Sequence, residues 1–203
     1  MRKIFFTLLA MLMAIFTCVR ANCPVDKASS SLIQSLNLPS TTQVAAESID
    51  LVVFTNVDSI DNDMDVVTLW TYRPEEKTLL KLLTTNPRSN YKCLGYGDKA
   101  QRVSFTSIPT ISNVYINAEE DKILVEGNDD RNFYSYIITL TDGLSTIQLP
   151  CNAGVLGMSL EEELPIAQSY TYYKGGGRYN IISVFDWNGK CLKHFSLKDI
   201  ESQ

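Results

Sequence analysis

The stretch Asn180–Leu197, NIISVFDWNGKCLKHFSL, decides the fold, because it holds two apolar runs on either side of a short polar turn. The runs NIISVFD and CLKHFSL are rich in β-branched and aromatic residues, which favour strands. The turn Trp187–Lys190 contains Asn and Gly, residues that are typical of chain reversals. The stretch therefore predicts two antiparallel strands.

Three consecutive glycines, Gly175–Gly177, precede this stretch within YYKGGGRYN. A phosphate-binding loop would place its glycines between a strand and the N-terminus of a helix. Here the flanks are strand-like on both sides, with PIAQSYTYY (165–173) entering and NIISVFD leaving. We therefore expect the glycines to reverse the chain with positive φ angles. Arg178 is then an exposed residue at the tip or a rim contact for an anionic ligand.

The same pattern of strands occurs twice at a fixed offset. Ile137, Ile138, Thr139, Leu140 and Asp142 precede Ile181, Ile182, Ser183, Val184 and Asp186 by 44 residues. A period of about 40 to 45 residues with four strands each is typical of a β-propeller blade. The strands predicted for the two units are 111–117, 122–126, 134–141 and 146–149, then 154–160, 165–173, 180–186 and 191–197.

An earlier meander with strands at 51–56, 66–72 and 78–84 matches this period less well, and residues 89–108 read as an insertion or irregular hairpin. One short helix is predicted at 28–36. The fold class is therefore all-β, with about three to four antiparallel, four-stranded, blade-like meanders that form a partial β-propeller.

The hairpin VFDWNGKCLKHFSL and the stretch LWTYRPEEKTLLKLLTTNP (69–87) resemble hairpins of the TolB-like and YncE-like six-bladed β-propeller families. Six blades at this period need about 250 residues, whereas this chain has room for three or four. The resemblance therefore implies a partial or truncated propeller. Open sheet edges at its two ends would then invite self-association.

The first residues indicate export. Arg2 and Lys3 lead into an uncharged run that ends near Val19-Arg20-Ala21, which predicts a signal peptide cleaved after Ala21. An uncleaved anchor and a lipid anchor on a nearby cysteine are less favoured alternatives. The predicted organisation is a signal peptide at 1–21, a lead-in segment at 22–48 and a propeller-like domain at 49–203. We expect a periplasmic or secreted protein without a transmembrane span after cleavage.

Charge and cysteines narrow the partners further. The net charge of −5 argues against nucleic acid as a partner. Four cysteines remain after the predicted cleavage, and in an exported chain they are disulfide candidates with three alternative pairings. They are Cys23, Cys93, Cys151 and Cys191.

The sequence predicts no catalytic residues. His194 is the only histidine, and the run Glu161–Glu163 lacks the convergence that paired carboxylates need. In the acidic stretch DSIDNDMD, Asp61, Asp63 and Asp65 alternate like the start of a calcium loop. The later glycine and glutamate of such a loop are missing, so a solvated hairpin tip is favoured over a weak calcium site. No other cofactor is expected.

Aromatic residues cluster near the glycine run. Period-two alternation places Tyr170 and Tyr172 on one strand face with Gln168. With Arg178 and Trp187 they are the candidate ligand-binding residues, for a glycan or a protein. The favoured function is an exported, non-enzymatic binding or structural module of the cell envelope. The alternatives are a glycan-active hydrolase or lyase of propeller type, and an inactive truncated propeller.

Overall fold

In a computed structural model of the chain, the described residues are 27–60, 64–89, 94–97, 99–104, 108–128, 133–141 and 144–196. The chain divides into two compact units, Met1–Ser40 and Thr41–Gln203. In the described part of the first unit the one regular element is helix α1, Lys27–Ser35, as the sequence predicts. It ends because Asn37 takes a left-handed φ of 53°, and the N–H of Leu38 then bonds the Ile33 carbonyl at 3.1 Å.

The second unit is all-β and contains three antiparallel sheets of four, five and four strands. Sheet 1 has the order β1-β2-β3-β4, sheet 2 the order β5-β9-β8-β7-β6, and sheet 3 the order β10-β11-β12-β13. The strands are β1 Thr42–Glu47, β2 Val52–Ile60, β3 Met64–Arg73, β4 Thr78–Thr84, β5 Gln101–Val103, β6 Asn113–Ile116, β7 Lys122–Asn128, β8 Phe133–Thr139, β9 Ser145–Gln148, β10 Val155–Met158, β11 Pro165–Tyr172, β12 Arg178–Phe185 and β13 Cys191–Ser196.

These sheets confirm the predicted fold class of blade-like antiparallel meanders. The 44-residue offset connects β8 with β12, which are the third strands of two successive meanders. Two strands were missed. The strand β1 lies before the predicted start of the domain at 49 and pairs with β2, and β5 lies in the region interpreted as an insertion.

Sheet 2 lies between the other two sheets, because its two faces contribute to two different cores. Alternate residues of β7 point to opposite faces: Ile123 belongs to the core shared with sheet 1, and Leu124 to the core shared with sheet 3. The buried residues of the first core include Leu51, Val53, Val67, Leu69, Ile123, Val125, Tyr136 and Ile138. Those of the second are Leu124, Ile137, Leu149, Cys151, Ala167, Phe185 and Trp187.

A polar contact fixes sheet 1 against the β6–β7 turn of sheet 2. The carboxylate of Glu120 accepts the backbone N–H of Asp50 at 3.1 and 3.2 Å. The Arg73 guanidinium donates to the Glu120 carbonyl at 2.8 Å. Because these bonds satisfy backbone groups at the end of both sheets, they set the position of one sheet along the other.

A short segment connects sheets 2 and 3 at their outer edges. Lys99 forms a bridge with Lys190 in the β12–β13 turn, and β5 then pairs with β9. Gly189 in that turn has a φ of 77°, and a Cβ there would lie 2.6 Å from Ala100. The chain thus covers the outer edge of β9 with its own strand β5. By contrast, β4 and β13 are edge strands of the described sheets.

Candidate ligand-binding face on sheet 3

The two faces of sheet 3 differ in what covers them. The inner face packs on sheet 2 and includes the buried residues Ala167, Ile181 and Phe185. Alternation along the strands places a second set of residues on the other face, which we call the outer face of sheet 3. Its members are Ile166, Gln168, Tyr170 and Tyr172 on β11, Arg178, Asn180, Ile182 and Val184 on β12, and Lys193 and Phe195 on β13.

The hairpin of β11 and β12 brings three of the predicted ligand-binding residues together. Tyr170 lies opposite Asn180 and Tyr172 opposite Arg178 in the register. The rings of Tyr170 and Tyr172 are 5.9 Å apart and nearly perpendicular, at 86°. The Arg178 guanidinium carbon lies 5.2 Å from the centroid of the Tyr170 ring. We call these three residues the tyrosine–arginine patch.

The patch is exposed to solvent. Tyr172 has 67% of its surface exposed and Phe195, two strands away, has 55%. Arg178 and Lys193 are exposed, and Tyr170 is half-buried. A perpendicular ring pair and an arginine above a ring are favourable arrangements, so the patch presents aromatic and cationic surface in a fixed geometry.

Local structure holds the patch in place. The pairing of β11 with β10 ends at Ala167. Gln168 then bonds the backbone of Ala153 and Gly154, and at Tyr170 the Asn152 side chain takes over. Its Oδ1 accepts the Tyr170 N–H at 2.8 Å, and its Nδ2 donates to the Tyr170 carbonyl at 3.3 Å. At the other end, the chain reverses at the glycine run, with positive φ angles of 94° at Gly176 and 80° at Gly177 but not at Gly175.

Trp187 lies away from the patch. It is buried in the core between sheets 2 and 3, and its indole N–H donates to the Glu163 carbonyl at 3.1 Å. Two further aromatic residues of the hairpin, Tyr173 and Tyr179, contact each other with ring centroids 4.6 Å apart. The structure therefore separates Trp187 from Tyr170, Tyr172 and Arg178.

The hairpin tip that holds the weak calcium-site candidate is shorter than the sequence indicated. The strands β2 and β3 extend into the acidic stretch, so that Asp58 lies opposite Val66, and Asp65, opposite Ser59, is an exposed strand residue. Asp61 and Asp63 lie outside the described residues. Among the residues that the structure describes, no group of three His, Cys, Asp or Glu side chains is placed to hold a metal ion.

The remaining candidates are dispersed. His194 is exposed on β13, and Glu161–Glu163 are in the β10–β11 connection. The Cys151 thiol is buried and donates to the Ser135 hydroxyl at 3.3 Å. Cys191 contributes to the second core, while Cys23 and Cys93 lie outside the described residues. The disulfide pairing stays a prediction.

A buried carboxylate that sequence reasoning missed lies between sheets 2 and 3. Glu126 is 4% exposed. One of its oxygens accepts the Val155 N–H at 2.6 Å and the other accepts the Asn113 amide at 3.0 Å. Burial, and then the negative charge of Glu126, raise the pKa of Tyr115. Two open pockets of about 300 and 330 Å³ share Tyr115 in their walls.

The bonds of Glu126 indicate a structural role. Both carboxylate oxygens bond to protein groups, and a Cβ at Gly154 would lie 2.6 Å from Oε1. Both oxygens are thus engaged in hydrogen bonds between strands, and we assign Glu126 a structural role. The signal that would have found it is a lone Glu that directly follows the apolar run ILV in the strand KILVEGN.

Comparisons with known proteins found no family model, no curated protein and no solved structure that matches this chain. Within the ranges described above, no helix has the length and apolar character to cross a membrane.

Proposed function

We propose that this protein is an exported, non-enzymatic binding module of the cell envelope, and that its three sheets are consecutive blades of a partial β-propeller. The propeller interpretation is supported by three successive antiparallel meanders between Thr42 and Ser196. It is also supported by their packing, since sheet 2 shares one core with each neighbour. Export follows from the predicted signal peptide.

The tyrosine–arginine patch is the observation that carries the binding function. Exposed apolar surface next to polar groups is typical of interaction sites on soluble proteins. Tyrosine rings give large contact area at a low cost in conformational entropy. The patch lies on a sheet face that no other described element of the second unit covers, so its rings are accessible to a ligand.

A glycan array probed with the fluorescently labelled protein tests this proposal. We expect the wild-type protein to retain a subset of glycans, and Tyr172→Ala to weaken this binding about tenfold or more. Tyr96→Ala is the matched control, because Tyr96 is another exposed tyrosine, with 54% exposure, outside sheet 3. It should bind like the wild type.

The retained glycans are then incubated with the protein and analysed by mass spectrometry. Recovery of intact glycans is the expected result for a binding module. Shortened or unsaturated products would overturn the non-enzymatic part of the proposal. Equal binding by wild type and Tyr172→Ala, or no binding to the array, would remove the patch as the glycan-binding surface.

A further inference from the structure

We infer that the outer face of sheet 3 binds an acidic saccharide, with the sugar carboxylates paired to Arg178 and Lys193. This inference rests on the proposed binding function and names its ligand class. It is carried by the charge of the sheet, by the geometry of the patch and by the spacing between the two cations.

The strands of sheet 3 carry basic but no acidic residues, although the protein is acidic. The whole chain has 23 acidic and 18 basic residues, yet the strands β10 to β13 contain no Asp or Glu. Arg178 and Lys193 are exposed on the outer face, and neither forms an ion pair within the described part of the chain. This face therefore complements a negatively charged ligand.

Asp186, which follows β12, continues the alternation of the outer-face residues. Its Oδ1 accepts the backbone N–H groups of Asn188 at 2.9 Å and Lys190 at 2.8 Å. Asp186 is thus occupied in shaping the β12–β13 turn. It lies eight residues from Arg178, about 26 Å along an extended strand, so it does not neutralise the patch.

Arg178 is suited to a carboxylate. A guanidinium offers planar N–H donors that match the two oxygens of a carboxylate. The contact with the Tyr170 ring, at 5.2 Å, restrains the side chain without using those donors in hydrogen bonds. Since less side-chain freedom is then lost on binding, the arginine is partly preorganised for an anion.

The neighbouring residues are suited to a sugar ring. Aromatic faces carry partial negative charge, so they attract the electropositive C–H groups on the face of a pyranose. Tyr172 offers such a surface, with 67% of the side chain exposed. Gln168 and Asn180 are half-buried next to Tyr170 on the same face, and their amides can donate to and accept from hydroxyl groups.

The two cations are spaced for an oligosaccharide. Lys193 lies opposite Val184 on β12, six residues from Arg178. At about 3.3 Å per residue this separation is ~20 Å along the strand. A single sugar does not span that distance, whereas an extended chain of acidic sugars meets both cations. Longer oligomers should therefore bind more tightly than short ones.

Isothermal titration calorimetry with the full chain tests the inference. The probes are galacturonate oligomers of two and six sugars, the methyl-esterified hexamer and hexaglutamate. We expect the acidic hexamer to bind at least tenfold more tightly than its neutral ester, and added salt to weaken that binding. Arg178→Ala should weaken binding of the dimer and the hexamer about tenfold or more, and Arg178→Lys should restore it only in part.

Lys193→Ala should weaken binding of the hexamer and leave the dimer unchanged. Arg88→Ala is the matched control, because Arg88 is exposed outside sheet 3, and it should bind like the wild type. Circular dichroism melts of each variant check that the fold is retained.

Three outcomes would overturn the inference. Equal binding of the hexamer and its neutral ester would remove the carboxylates as determinants, yet leave the proposed binding function standing. Equal or tighter binding of hexaglutamate would assign the face to acidic peptides. Failure to bind any acidic sugar would exclude this ligand class, while glycans retained on the array through Tyr172 would still support a binding module.

Discussion

The carboxylate of Glu126 accepts the backbone N–H of Val155 at 2.6 Å, and this bond joins β7 of sheet 2 to the first strand of sheet 3. The same side chain accepts the amide of Asn113 on β6 at 3.0 Å. Hydrogen bonds to a buried charge contribute more than neutral ones, and their loss leaves buried donors unsatisfied. Glu126 therefore helps to hold two neighbouring sheets together.

Substitution of Glu126 should destabilise the protein by an amount that depends on the replacement. Glu126→Ala leaves the donors of Val155 and Asn113 without their acceptor, and we expect a loss of about 3 kcal/mol in the free energy of unfolding. Glu126→Gln keeps one acceptor oxygen and should lose about 1 kcal/mol. Urea denaturation followed by circular dichroism measures both. Equal losses for the two variants would contradict hydrogen bonding as the cause of the destabilisation.

Gly154 should be coupled to Glu126. Its φ is 91°, and an added Cβ would lie 2.6 Å from the Glu126 carboxylate. Gly154→Ala is therefore expected to cost about 2 to 4 kcal/mol, from backbone strain and from the clash. In a Glu126→Ala background only the strain and the contact with Phe133, at 3.1 Å, remain. In a double-mutant cycle, Gly154→Ala should therefore destabilise the Glu126→Ala variant less than the wild type. Strictly additive losses would contradict the contact between residue 154 and the Glu126 carboxylate.

The sequence predicted most of the strands because their signal is local. Period-two alternation and turn residues located β7, β8, β11, β12 and β13 to within two residues at each end, and the hairpin register then brought Tyr170, Tyr172 and Arg178 to one face. The missed strand β5 has only three residues, too few for a periodic pattern. The missed strand β1 is rich in small residues, TQVAAE, with no strong β propensity.

Two residues whose positions the sequence did not indicate, Trp187 and Glu126, depend on contacts between distant parts of the chain. Trp187 follows the end of β12, where alternation no longer tells which face a side chain takes, and packing against sheet 2 buries it. The role of Glu126 arises from a partner 29 residues away in another sheet. The lone Glu126 beside an apolar run marks a buried carboxylate, but no local pattern at either position identifies its distant partner.

Ionisation of Tyr115 should destabilise the protein in alkaline solution. Burial, and then the charge of Glu126, raise the pKa of its phenol in the folded chain, whereas in the unfolded chain the phenol titrates near pH 10. Below pH 10 the phenol is protonated in both the folded and the unfolded chain, so its contribution to stability does not change with pH. As the pH rises from 10 towards the folded pKa, only the unfolded state releases the proton, so stability is lost.

Thermal melts between pH 8 and pH 11.5 measure this effect. The melting temperature of the wild type should fall more steeply above pH 10 than that of Tyr115→Phe, which has no proton to lose. Glu126→Gln removes the charge next to Tyr115 and keeps its burial. The melting temperature of this variant should therefore fall above pH 10 with an intermediate steepness. Parallel curves for wild type and Tyr115→Phe throughout the range would refute the raised pKa.

Alanine substitutions in the glycine run should separate backbone conformation from packing. Gly176 and Gly177 have φ angles of 94° and 80°, whereas Gly175 is not among the residues with positive φ. An added Cβ would meet nothing within 4 Å at Gly175 or Gly176, and at Gly177 only the Tyr173 ring, at 3.9 Å. Any difference in stability among the three alanine variants therefore reflects backbone conformation.

We expect Gly176→Ala and Gly177→Ala each to lower the free energy of unfolding by about 1 to 2 kcal/mol, because side chains disfavour positive φ. Gly175→Ala is the matched control and should be neutral or stabilising by a few tenths of a kcal/mol, since it restricts the unfolded chain. Urea denaturation measures all three. Because this turn sets the register of Tyr172 opposite Arg178, the two destabilised variants should also bind the acidic hexamer more weakly. A loss at Gly175 equal to the other two would show that the turn does not depend on left-handed backbone.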